Sequence, residues 1–170
     1  TTREAANAIG CAEADIAKTL SFIVNGEPIL IVMAGDKRCD NHKYKEFFHE
    51  KAHMIPREDL VELIGHEAGG VCPFGVNDGV TIYFDESLKE HESVYPACGS
   101  TNSAIKLTID ELENIAANCK APMYIFDSDI VTDTVEMFRR NLNTASKADI
   151  NLCYAMKANP FLVSIMNELT

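Results

Sequence analysis

The sequence predicts an α+β domain over residues 1–119, followed from residue 120 by the opening of a parallel β-α-β-α unit. Three observations carry this reading. Asn25-Gly26 sits between two strand-like runs, and Asn-Gly favours the positive φ angles of a tight hairpin turn. The later strands are bunched with short helices between them and show no regular β-α alternation, which fits a mixed, largely antiparallel sheet with flanking helices. After residues 118–122 the order changes to strand, helix, strand, helix.

The elements follow in order. Thr1-x-x-Glu4 is a capping box that opens a short helix ending at Gly10. A second helical segment is expected over residues 12–18, which puts Lys18 at a helix-to-strand junction. Strands are expected over 20–24 and 28–34. The second is nearly all apolar, as a strand buried on both faces is. Residues 41–48 read as a helix with Tyr44, Phe47 and Phe48 turned inward. Pro56 precedes another helix over 57–64, closed by Gly65. Strands are expected at 80–84, 92–97 and 103–107. Thr108-x-x-Glu111 is a second capping box and opens a helix to about residue 117. Beyond it come a strand (123–126), a helix (129–141), a strand (150–156) and a helix (160–169). Fifty residues of this pattern lack the further strands that would cover their edges, so the piece reads as truncated.

Hydrophobic residues make up 46% of the chain and charged residues 24%, enough apolar surface for a packed core. The net charge of -11 argues against a protein that grips a long nucleic-acid backbone, so no DNA partner is expected. It leaves room for a pocket that holds one nucleotide end. None of the six cysteines forms a C-x-x-C pair or lies at zinc-ligand spacing from histidines. They read as reduced thiols of a cytoplasmic protein without a metal. The longest apolar run, residues 28–34, is too short to span a membrane. The chain opens on Thr1 directly in a helix and is expected to begin inside a longer protein.

Three features can carry chemistry. One is Lys18. The second is Gly69-Gly70-Val71-Cys72-Pro73, where glycine permits close approach and proline fixes the exit. The third is Ala97-Cys98-Gly99-Ser100-Thr101-Asn102, a turn of small residues that lets a ligand reach backbone N–H groups. Two such loops facing one lysine make an anion-tolerant pocket with oxyanion donors. Taken singly, each has a plain structural reading: a turn, or a solvated lysine. No Ser-His-Asp or Cys-His arrangement is evident. His66 and His91 read as surface or capping residues, and Cys98 as a small packing residue.

In this order the features resemble the YbaK family of trans-editing factors and the insertion domain of bacterial prolyl-tRNA synthetases. The matching strings are Arg3-Glu4-Ala5-Ala6, Ala17-Lys18-Thr19-Leu20, Ala34-Gly35-Asp36, Gly69-x-x-x-Pro73, Asp85-Glu86-Ser87-Leu88 and Gly99-Ser100-x-Asn102. The resemblance implies hydrolysis of the ester between an amino acid and the 3′-terminal adenosine of tRNA, typically tRNA(Pro) carrying a smaller amino acid. It implies Lys18, Gly69, Gly70 and Pro73 as the catalytic set, with Lys18 placing the tRNA end and the 69–73 loop around the scissile carbonyl. Asp36, Val71, Cys72, Gly99 and Ser100 would contact substrate. Water would attack with help from the substrate's own ribose hydroxyl, without a cofactor. The 3′ end of aminoacyl-tRNA is the expected partner, with prolyl-tRNA synthetase as a second. The sequence departs from the family in two ways: an N-terminal helix and strand are missing, and Cys72 stands where many relatives carry Ser. A nucleophilic role for Cys72 is disfavoured by the lack of a nearby histidine.

A second signal is Ala121-Pro122-Met123-Tyr124-Ile125-Phe126-Asp127 with Cys153-Tyr154-Ala155-Met156-Lys157-Ala158-Asn159-Pro160. A lysine at the C-terminal end of a buried strand suits Schiff-base chemistry. The string resembles the pyridoxal-phosphate lysine of the alanine-racemase-like barrel decarboxylases, which implies a truncated TIM-barrel after residue 120 with Lys157 as the cofactor lysine. The remaining cofactor loops would lie beyond Thr170, so decarboxylation is not expected of this chain. The alternative to an editing enzyme is then a pyridoxal-phosphate decarboxylase, active only at full length, whose first domain is a binding module.

Overall fold

A computed structural model describes residues 1–118 and 128–145. The chain divides into two units, residues 1–123 and 124–170, each of which is described by itself.

The first unit is organised by a hairpin. Strands β1 (Ile16–Val24) and β2 (Glu27–Ala34) pair antiparallel from Ala17 opposite Ala34 to Val24 opposite Glu27. Asn25 and Gly26 turn the chain with φ of 50° and 84°, the positive values that a type I′ turn requires. Strand β3 (His53–Met54) pairs antiparallel with the far end of β1. Strand β4 (Thr81–Phe84) runs parallel to β2, and β5 (Ser93–Pro96) runs parallel to the start of β1. Strand β6 (Leu107–Thr108) closes antiparallel on β5. The order is β4-β2-β1-β5-β6, with β3 beside β1. The sheet is mixed, and each parallel pair is joined by a long crossover, as parallel neighbours must be.

Side-chain alternation splits the core between the two faces of the hairpin. Phe22, Ile29, Ile31 and Met33 pack on one face with Tyr44 of helix α2 (Asn41–Phe48). Ala17 and Val32 pack on the other with Cys72, Phe74, Val94 and Leu112. Leu112 belongs to helix α4 (Ile109–Asn118). Leu30 continues that second face towards Ile55, Leu60 and Ile64, around the short helix α3 (Leu60–Leu63). Both expected capping boxes form. Thr1 caps helix α1 (Thr2–Ile9) with Glu4, and Gly10 closes it in the left-handed region. Thr108 Oγ1 accepts from the Glu111 N–H while the Glu111 carboxylate accepts from the Thr108 N–H.

Several expectations give way to tertiary packing. Residues 12–18 are not a helix: a 3-10 turn (Glu13–Asp15) leads straight into β1. Ile16 and Ala17 are buried and pair with β5, so the sheet overrides local helix preference. Lys18 therefore lies inside a strand. Residues 103–107 supply only Leu107 to a strand, plus an isolated bridge between Ala97 and Ala104. Phe47 is not inward; it is 67% exposed, because Tyr44 and Phe48 fill the inner face of α2. The expected 57–64 helix begins as a 3-10 turn (Arg57–Asp59).

In the second unit, helix α5 (Ser128–Ala145) contains the expected 129–141 helix. The other C-terminal elements, the truncated TIM-barrel reading and the 119/120 boundary fall outside the described residues. No helix among the described residues is long and apolar enough to cross a membrane.

Candidate functional site

The structure brings the two small-residue loops together. A Cβ on Gly70 would sit 2.6 Å from the Gly99 carbonyl oxygen and 2.9 Å from the Ser100 nitrogen. The loops thus touch backbone to backbone, at a separation that excludes any side chain at position 70. The 69–73 loop is anchored from below. Cys72, Pro73 and Phe74 are buried, and Val71 packs its side chain towards Ile64 and Leu60. The opposing loop is laced internally: the Cys98 N–H donates to the Ser103 carbonyl at 3.2 Å, and Ser103 Oγ donates back to the Cys98 carbonyl at 3.1 Å. Ser100 Oγ lies 2.9 Å from Asn102 Oδ1 and 2.7 Å from Ser103 Oγ.

A donor count shows what the loops can offer. The Gly70 N–H donates to the Glu67 carbonyl, and the Cys72 N–H donates to His66 Nδ1. Among the described residues no acceptor takes the N–H of Gly69, Val71 or Ser100. Backbone donors without partners at the junction of two loops are what a developing oxyanion needs.

Lys18 is placed differently. It pairs with Met33, so its side chain leaves on the α2 face of the sheet, whereas Ala17 beside it faces Cys72. Its ammonium donates to the carbonyls of Gly35 and Lys37. Burial lowers its pKa, while Asp36 and Glu13 pull it back up. With two of three N–H bonds committed, one remains for a ligand anion. Asp36 is exposed beside it and also pairs with Lys37 at 3.6 Å. The lysine and the loop pair are therefore two structural groups: Lys18 with Asp36, and Gly69, Gly70, Val71, Cys72 and Pro73 with Gly99 and Ser100.

One histidine expectation is corrected. His66 is neither a surface nor a capping residue. It is half-buried, with Nδ1 4.0 Å from Cys72 Sγ, so a Cys-His pair does exist. The loop from His66 turns back on itself within six residues, which spacing alone does not reveal. Burial raises the Cys72 thiol and lowers the His66 imidazole, each away from its charged form, and Cys72 is only 1% exposed. Such a thiol is a packing group rather than a nucleophile. His91 is a capping residue as expected: it closes the 3-10 turn Glu86–Glu90 as its C-cap, and its ring lies 3.0 Å from Asp15 Oδ1. Cys98 packs against the Cys72 cluster, and burial pushes its thiol up to about 11.

A cavity of about 400 Å³ opens elsewhere, between β4 and α4, with Asn77, Asp78, Thr81 and Glu113 in its wall. Its two carboxylates repel an anionic nucleotide end, and none of the expected site residues lines it. No group of three or more His, Cys, Asp or Glu that could hold a metal ion is found among the described residues.

Comparison with known proteins gives a consistent picture. The family described as "Aminoacyl-tRNA editing domain" matches residues 1–115. The uncharacterized protein YwhH of Bacillus subtilis is 48% identical over 117 residues, covering 68% of this chain and 74% of that protein. The proline–tRNA ligase of Lactobacillus acidophilus is 29% identical over 92 residues, or 54% of this chain; the match spans only 16% of the ligase. A crystal structure described as that of a candidate trans-editing enzyme for prolyl tRNA synthetase superposes with a TM-score of 0.64 at 30% identity, covering 69% of this chain and 74% of that one. Lys157 lies outside both the described residues and the span matched by the family.

Proposed function

Because the chain belongs to the aminoacyl-tRNA editing domain family, we propose that it hydrolyses the ester of a mischarged aminoacyl-tRNA in trans, tRNA(Pro) carrying a non-cognate small amino acid being the substrate. On this reading the editing domain comprises residues 1–119. The observation that carries the proposal is the backbone contact of Gly70 with Gly99 and Ser100, which leaves the Gly69, Val71 and Ser100 N–H groups without acceptors.

Water adds to the ester carbonyl, and the carbonyl oxygen takes up negative charge. The unpartnered N–H groups hold that oxyanion, the step where fixed dipoles contribute most. The bond to the ribose oxygen then breaks, and that oxygen takes the proton lost by water. The substrate's neighbouring ribose hydroxyl relays it, because the buried Cys72 and the half-buried His66, each shifted away from its charged form, offer neither thiolate nor exposed base. Lys18 directs its third N–H at the anionic end of the nucleotide.

The test is hydrolysis of alanyl-tRNA(Pro) by the full chain and by Lys18→Ala. Strong loss in the variant, with its unfolding transition intact, is the expected result. Undiminished turnover would remove Lys18 from the site.

A further inference from the structure

We infer that the strip from Arg38 through helix α2 to Lys51 is an RNA-binding surface, which holds the acceptor stem of the tRNA whose acylated end enters the site. The inference rests on the editing reading for the identity of the RNA, but the surface is argued from its own charge and shape.

The chain carries 15 Lys and Arg against 26 Asp and Glu, yet residues 37–53 reverse the balance. That stretch holds five Lys and Arg against three acids, and three of the five histidines. Arg38, Lys43, Lys45 and Lys51 are all exposed and form no ion pair among the described residues. The three acids are engaged locally. Asp40 caps α2 through the His42 and Lys43 N–H groups, Glu46 lies 3.9 Å from His42, and Glu50 accepts the Asn25 N–H. An acidic protein that gathers four unpaired cations on one short strip is complementary to a polyanion there.

The strip also presents a ring. Phe47 is 67% exposed but not loose: it meets Phe48 and Tyr83 edge-on, with centroids 4.8 and 5.9 Å apart. A ring fixed by its edges and exposed to solvent, flanked by lysines, is the arrangement on which the unpaired bases of the 3′ overhang stack while cations track phosphates. Lys43 lies one helical turn from Phe47, on the same flank of α2.

The strip is continuous with the site. Lys18 donates to the Gly35 and Lys37 carbonyls, and Arg38 is close enough to lower the Lys18 pKa. Lys18 also exits on the α2 face. A nucleotide end at Lys18 thus has its preceding phosphates directed along Arg38 and α2. The overall charge of -11 limits the grip to this strip.

The test uses the full chain and a labelled, deacylated tRNA(Pro) acceptor minihelix, with binding followed by anisotropy at stepped KCl. Lys43→Glu with Lys45→Glu should weaken binding at least tenfold at low salt and flatten the salt slope by about two. Phe47→Ala should weaken it several-fold with the slope unchanged. Hydrolysis of a 3′-alanyl-adenosine ester should be unaltered in both variants. Equal affinity and slope for all proteins would overturn the surface, as would failure of the parent chain to bind the minihelix. Loss of short-ester hydrolysis in both variants would overturn it too, by making α2 part of the catalytic fold. Synthetase association lost with RNA binding unchanged would reassign the strip to protein. If the minihelix binds as stated and no ester is cleaved, the surface stands and the proposed activity falls.

Discussion

The loop pair at Gly70 and Gly99 and the strip that runs from Lys18 into α2 are built from different materials. The first is backbone against backbone, with its side chains either absent or turned into the core. The second is side chains on a helix, long, charged and exposed. The difference teaches where each can change. The loop pair excludes a side chain at Gly70 and accepts only a residue of similar size at the buried Cys72, whereas the strip loses function gradually, in proportion to charge and salt.

The strongest break in this contrast is Gly70→Ala. The new methyl has only the Gly99 carbonyl and Ser100 nitrogen to displace, so the loops must part. Overpacking of this kind costs about 1–3 kcal/mol of stability. Misplaced oxyanion donors cost roughly 10²–10³ in rate. Single-turnover deacylation with a matched thermal melt separates the two effects. Lys18→Ala comes next. It leaves the Gly35 and Lys37 carbonyls without their donor and the nucleotide end without its cation. We expect a loss of roughly 10²-fold in kcat/KM, the lower edge of what one positioned donor contributes, with Lys18→Arg recovering part of it.

A smaller effect sharpens the status of the buried pair. Burial depresses the His66 pKa, so the unfolded chain binds a proton more readily than the folded one. The stability contributed by neutral His66 is present above about pH 6.5, the unfolded value, and is lost as pH falls through the lower folded value. Urea midpoints measured from pH 7.5 to 5 should drop more for the parent chain than for His66→Asn, which keeps an acceptor without titrating. Smallest of all is Cys72→Ser: within about threefold of parental deacylation, against the roughly 10³-fold or greater loss that removal of a true nucleophile produces.

Much of this contrast was legible in the residues. Both capping boxes, the Asn25-Gly26 hairpin and the buried strand β2 follow from local chemistry. What escaped was settled by packing between distant segments. Ile16 and Ala17 join β5 and convert an expected helix into strand, which moves Lys18 from a junction into the sheet. His66 reaches Cys72 only because the loop folds back. Which face Lys18 leaves from depends on strand register, and a one-residue change would invert it. The exposure of Phe47 was missed because three aromatics on one short helix read as core, when only Tyr44 and Phe48 fit beneath it.

The most direct test of the site is the rate of ester loss from alanyl-tRNA(Pro) in the parent chain, in Cys72→Ser and in Gly70→Ala. A backbone-built site gives first-order hydrolysis that survives loss of the thiol and collapses in the glycine variant while tRNA binding persists. Binding without turnover in the parent chain, or turnover indifferent to Gly70→Ala, would contradict it.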